Sequence, residues 1–181
     1  MRIASRHMPR YISKPIGAGG WLALFFLTGL TLWCMITKPL LLAAAVILFI
    51  PYYAVVRPRL FQEEQQLIAL AALRADDSIC EFARQFDCRK VDTWVIRAVY
   101  EQLQMQLRHV HPAFPVRAGD RLKEDLFLDD DDLEMDLAQE IEERTGRSLK
   151  DFSANPYRSK VVTVNDLVLF FQAQPKAESA T

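Results

Sequence analysis

The chain has 181 residues, 51% of them apolar and 25% charged, with three Cys and a net charge of −1. At roughly 100–200 residues per domain, this is one compact domain with something smaller attached. A multidomain enzyme, a collagen-like or coiled-coil fibre and a disulfide-stapled miniprotein are excluded, and the ordinary charge content excludes a chain that is disordered throughout. The averages hide a division. Residues 1–59 hold seven bases (Arg2, Arg6, Arg10, Lys14, Lys38, Arg57, Arg59) and no acid, so they carry +7, while residues 60–181 carry −8. Such asymmetry suggests that the basic part faces an anionic surface.

After a basic tail over residues 1–20 come two apolar runs, WLALFFLTGLTLWCMIT (21–37) and LLLAAAVILFIPYYAVV (40–56), separated by Lys38-Pro39. Each is about 25 Å long as helix, at the short end of what spans a bilayer. Neither contains a charge, which at mid-membrane costs roughly 2.5–3.5 kcal/mol, and neither has a polar face. Trp21 and Tyr52-Tyr53 fall on the same side of a hairpin, where aromatics with a polar tip form a belt. Four bases precede the hairpin, two follow it and one lies in its turn. The expectation is a two-helix transmembrane hairpin over 21–56, multi-pass in a cytoplasmic (inner) membrane of bacterial type, with both termini cytoplasmic. A cleaved signal peptide with Ala43-Ala44-Ala45 as its small-residue site also explains the basic start, but leaves eleven further apolar residues unexplained. A re-entrant, non-spanning hairpin fits runs this short as well. Cys34, Cys80 and Cys88 match no zinc or redox spacing and read as small packed hydrophobes in a reducing compartment.

The remainder reads as helices. LFQEEQQLIALAALR is rich in helix formers and continues from the membrane; Asp76-Asp77-Ser78 caps a short helix with Ile79, Phe82, Ala83 and Phe86 at helical spacing. Asp92 caps a longer one whose Val95, Val99, Leu103 and Leu107 demand a core partner. The stretch 109–128, with its prolines and glycine, is a loop. A second helix starts around Leu133 and ends at Thr145-Gly146, where Gly can take positive φ. Residues 148–160 read as loop with room for a helical turn, and 160–164 is the one segment with the pattern of a strand. Thr163 and Asp166 open a final helix as a capping-box-like pair. Residues 57–90 are a helical linker or domain extension, 91–173 a four-helix domain and 174–181 a flexible tail. The fold class is all-α.

The order of long helix, extended loop, acidic helix, irregular link and closing helix resembles the acyl carrier protein family, over residues 91–173. The words RLKEDLFLDDDDLEMDLAQEIEERTG and VVTVNDLVLFF are similar to that family's E-D-L, D-S-L and T-V-G-D segments. In the family, a serine at the start of the second helix carries a phosphopantetheine arm. Here the three possible registers put Asp130, Asp131 or Asp132 in its place, and no hydroxyl occurs between Gly119 and Arg144. A carboxylate cannot be phosphopantetheinylated, so neither a prosthetic group nor any other cofactor is expected.

What survives is charge. Residues 120–143 hold twelve acids against Arg121 and Lys123. One reading is a solvated helix face with an overbuilt cap, since helix starts favour acids by about 0.3–1 kcal/mol each. The other, which the family resemblance also implies, is a docking face for a basic partner surface, formed by Asp129, Asp130, Asp131, Asp132, Glu134, Asp136 and Glu140. The acidic run fails the EF-hand pattern, and His109 and His111 read as surface loop histidines, so no metal site is expected. Phosphate-binding, dinucleotide, zinc-protease and serine-hydrolase signatures are absent from the sequence, and the acidic half disfavours nucleic acid. The functional expectation is a non-catalytic, membrane-tethered adaptor whose partners are the lipid bilayer and a protein with a basic surface, a membrane enzyme or a secretion-type assembly. A carrier modified at Ser148, Ser153 or Ser159 and an inhibitory or immunity-type binding protein are the alternatives.

Overall fold

The computed structural model describes residues 4–9, 17–128, 137–151 and 153–176. They form six α-helices: α1 Ala18–Thr37, α2 Pro39–Leu73, α3 Ile79–Arg84, α4 Thr93–Gln106, α5 Ala138–Thr145 and α6 Val164–Ala173. Two 3-10 turns lie at Ser5–His7 and Leu107–His109. Among the described residues there is no strand, and the protein is all-α. The segment with strand character, 160–164, makes one isolated bridge, from Thr163 to Arg121. The chain divides into two units, Ile12–Glu63 and Met1–Tyr11 with Glu64–Thr181.

In the first unit, α1 is the one helix among the described residues that is long and apolar enough to cross a membrane. Phe25, Phe26 and Ile36 are 70%, 71% and 79% exposed, and Leu24, Leu27 and Met35, across the helix at 100° per residue, are also exposed. Its hydroxyls are spent inside the helix: Thr28 donates to the carbonyls of Leu24 and Phe25 (3.0 Å each) and Thr37 to that of Trp33 (2.8 Å). An apolar medium requires this of any polar group immersed in it.

The second apolar run differs from expectation. It is not a short helix ending at residue 56 but the first part of a 35-residue helix that continues through Pro51 and Pro58 to Leu73. Each proline removes one ladder bond and crowds the preceding turn. The strong helix formers of 60–73, with no glycine or cap among them, carry the helix onward regardless. Phe49 stacks on Tyr53 at 6.0 Å, and the Arg57 guanidinium lies 5.4 Å from the Tyr53 ring centre, an exposed cation–π pair.

The compact unit is built around α4. Its stripe Val95, Val99 and Leu103 is fully buried, and each such side chain contributes about 1.5–3 kcal/mol. α3, α5 and α6 pack on it. Phe82 of α3 meets Tyr100 at 5.0 Å between ring centres, Ile141 enters from α5, and Val164, Val168 and Phe171 from α6. Leu67 and Ala71 of α2 lie in the same core, so residues from Glu64 onward belong to this unit. Cys80 and Cys88, expected as packed hydrophobes, are both exposed. The reason is register: α3 turns Phe82 inward, with Ile79 and Ala83 beside it, and Cys80 falls on another face.

The loop 110–128 is irregular but pinned. Phe114, Val116, Leu122, Leu126 and Leu128 are buried in the core. Arg74, one residue beyond α2, pairs with buried Asp120 at 2.8 Å, and Arg117 Nε donates to Asp77 at 2.5 Å. Gln85 accepts the Ala118 N–H at 2.8 Å, and Gln104 donates to the Phe114 carbonyl at 3.0 Å. Phe127 takes φ 53°, a strained value for a bulky residue, between the two inward-turned leucines 126 and 128.

The N-terminal tail is not wholly a tail. The turn Ser5–His7 packs against α4 and places Met8, 7% exposed, in the core cluster.

Candidate functional site

Of the seven residues expected on the docking face, Asp129, Asp130, Asp131, Asp132, Glu134 and Asp136 lie outside the described residues. Glu140 stands half-buried in the first turn of α5. α5 itself is firmly placed. Ile141 anchors it in the core, and Glu101 of α4 takes both Arg97 Nε (2.7 Å) and Arg144 of α5. The helix stops at Gly146, whose φ of 63° is the left-handed conformation that a C-terminal cap requires. Arg147 then donates to the carbonyls of Gln172 (3.1 Å) and Gln174 (2.7 Å), closing the chain against the end of α6.

Local chemistry also sorts the twelve acids of 120–143. Asp120 is 3% exposed and accepts from Arg74 and from the Arg117 N–H. Glu124 pairs with Arg121 at 2.8 Å, Asp125 accepts the Arg121 N–H at 2.8 Å, and Glu142 accepts the Leu149 N–H at 3.0 Å. These four carboxylates hold the fold. Glu140 and Glu143 are the other two among the described residues.

The alternative attachment serines all fall between α5 and α6, and none opens a helix. Ser148 Oγ accepts the Lys150 N–H, and Ser153 donates to Asp151 at 2.7 Å, which with the Ser153 N–H holds that carboxyl below its ordinary value. Ser159 is exposed, with φ 57°. The histidines are local loop groups: His109 Nδ1 lies 3.0 Å from the Gln106 carbonyl, and His111 Nδ1 accepts the Ala113 N–H. Among the described residues, no three His, Cys, Asp or Glu side chains converge as a metal site would need.

The structure adds a feature that sequence reading missed. A cavity of about 820 Å³ lies between the 121–124 turn, Ala138, Leu149, the 158–162 segment and α6. Its wall is apolar, with Leu122, Leu149, Val161, Leu167, Phe170 and Phe171, and Arg121, Lys123, Glu124, Arg158 and Ser159 stand among the polar residues lining it. It offers apolar contact with polar groups beside it. The residues come from five separate stretches of chain, so the one signal in the sequence was the paired Phe170-Phe171, half of which turns into the core.

Comparison with family models, with curated proteins and with solved structures found no match to this chain. The class the fold defines is an all-α protein that joins one helix of membrane-crossing length and composition to a compact unit built around a central helix.

Proposed function

We propose that the protein is a non-catalytic, membrane-tethered adaptor, in which a carrier-like domain without a prosthetic-group serine captures a basic partner through its acidic second helix. The observation that carries this reading is chemical. From Asp120 to Glu143 the chain has twelve carboxylates and no hydroxyl, where a carrier needs a serine. Asp120, Glu124, Asp125 and Glu142 are engaged within the fold. Opposite potentials then steer association and fix register, and confinement to one membrane raises effective concentration.

The anchor in this proposal is a hairpin whose second span is the apolar first part of α2, residues 40–56. Burial of Met8 supports it. A segment that precedes α1 packs with residues that follow α2, as an anchor with both of its ends on one side of a membrane would require. The positive flanks then favour a cytoplasmic side for both termini. The experiment replaces Asp129–Asp132 by Asn, which keeps capping capacity and removes four charges. Partner capture from detergent-solubilised membranes is expected to be lost with helicity retained. Unchanged capture sinks the docking face; collapse of helicity restores the simple capping account.

A further inference from the structure

We propose that Ala4–Pro9 is a latch, a displaceable strap that closes on α4 through Met8 and opens without unfolding the compact unit. α4 carries apolar residues over a wide arc and is covered by α3, α5 and α6, and the N-terminal turn packs on it as a further cover. Within that turn one side chain does the closing. Met8 is buried, while Ala4, Arg6, His7 and Pro9 are exposed and Ser5 is half-buried.

The strap's own structure is slight. Two backbone bonds close its turn, His7 N–H to the Ala4 carbonyl and Met8 N–H to the Ser5 carbonyl, both at 3.0 Å, with no side-chain cap. Among the described residues, no hydrogen bond or ion pair ties Ala4–Pro9 to the rest of the unit. One unbranched side chain is the strap's buried tie, so the strap stays mostly closed yet opens at far lower cost than the core unfolds. The neighbouring core stays intact in either state, because Val95, Val99 and Leu103 are buried together with residues of α3, α5 and α6. Given the anchor proposed above, on which this consequence alone rests, the closed latch holds the unit by two chain connections and the open one by α2 only.

Methionine oxidation reads the opening directly. Full-length protein in mild detergent is treated with dilute hydrogen peroxide, and sulfoxide formation at Met8 is compared by peptide mass with that at Met105, 39% exposed on α4. Met8 is expected to oxidise about tenfold or more slowly than Met105, at a rate that low urea leaves almost unchanged. Equal rates mean that the strap is not closed, and a Met8 rate rising with urea as steeply as global unfolding means that it is fixed core; either overturns the proposal. Met8→Glu adds a second reading. Trypsin cleavage after Arg6 is expected to accelerate several-fold while the unit's melting transition barely moves. A fall in that transition like that of any buried charge rejects the latch. Neither measurement depends on the membrane reading, which fails separately if the protein stays soluble without detergent.

Discussion

Asp77 and Arg117 lie on segments forty residues apart in the chain, yet their side chains meet, beside the buried pair of Arg74 and Asp120. The hydrogen bond from Arg117, aided by the charges of Arg117 and Arg74, holds the Asp77 carboxyl below its ordinary value of 3.8. A carboxyl whose folded pKa is depressed stabilises the fold fully above its unfolded value and loses that contribution as pH falls through the folded one. Asp77→Asn is therefore expected to lower the unfolding midpoint at neutral pH and to converge with the wild type well below about pH 4. Urea titrations across that range check it, and a constant offset at every pH contradicts it. Such pairings were not legible in the sequence. Asp120 stands there as one more acid in an acidic run, and its cation lies forty-six positions away.

Local signals, by contrast, were read correctly at three element ends, although Ser78, also expected to cap, makes no side-chain bond at the start of α3. Asp92 accepts the Trp94 N–H at 3.0 Å to open α4, and Gly146 closes α5. Thr163 and Asp166 complete a reciprocal capping box at the start of α6, with the Thr163 hydroxyl accepting the Asp166 N–H and the Asp166 carboxylate accepting the Thr163 N–H. Each of these depends on residues within four positions, which is why sequence suffices. Thr163→Ala is expected to cost about 1 kcal/mol, with Thr163→Ser nearly neutral, in denaturant unfolding. An effect within error for Thr163→Ala shows that the bridge to Arg121 and the burial of Val164 hold this end of α6 without the cap. The prolines of α2 signal a break locally, yet the helix formers on both sides carry the helix through them. The cavity went unseen because its wall is assembled from five stretches of chain.

At the scale of the whole molecule, the segregation of charge along the sequence coincides with the division of the structure. The apolar, acid-poor stretch 12–63 is one unit, and the acidic remainder is gathered with the N-terminal segment into the other. Membership of Met1–Tyr11 in the second unit was not foreseen, since one methionine in a basic stretch has no periodic partner to mark it. It gives the topology a direct test. Tags fused at each terminus, in sealed membrane vesicles treated with protease, are expected to be cleaved together or protected together. One tag lost and the other kept requires an odd number of crossings and removes the hairpin anchor.

The bare flanks of α1 carry a consequence for how the protein is made. Its phenylalanines and isoleucine face outward, and it leaves the ribosome before any of the residues from Glu64 onward that build the compact core. These apolar side chains stand open to the medium around α1, so a nascent chain released into water exposes them to others like itself. On the membrane-anchored reading proposed above, synthesis and delivery to lipid run together, and a pause between them is a route to inclusion bodies, not to a waiting soluble pool.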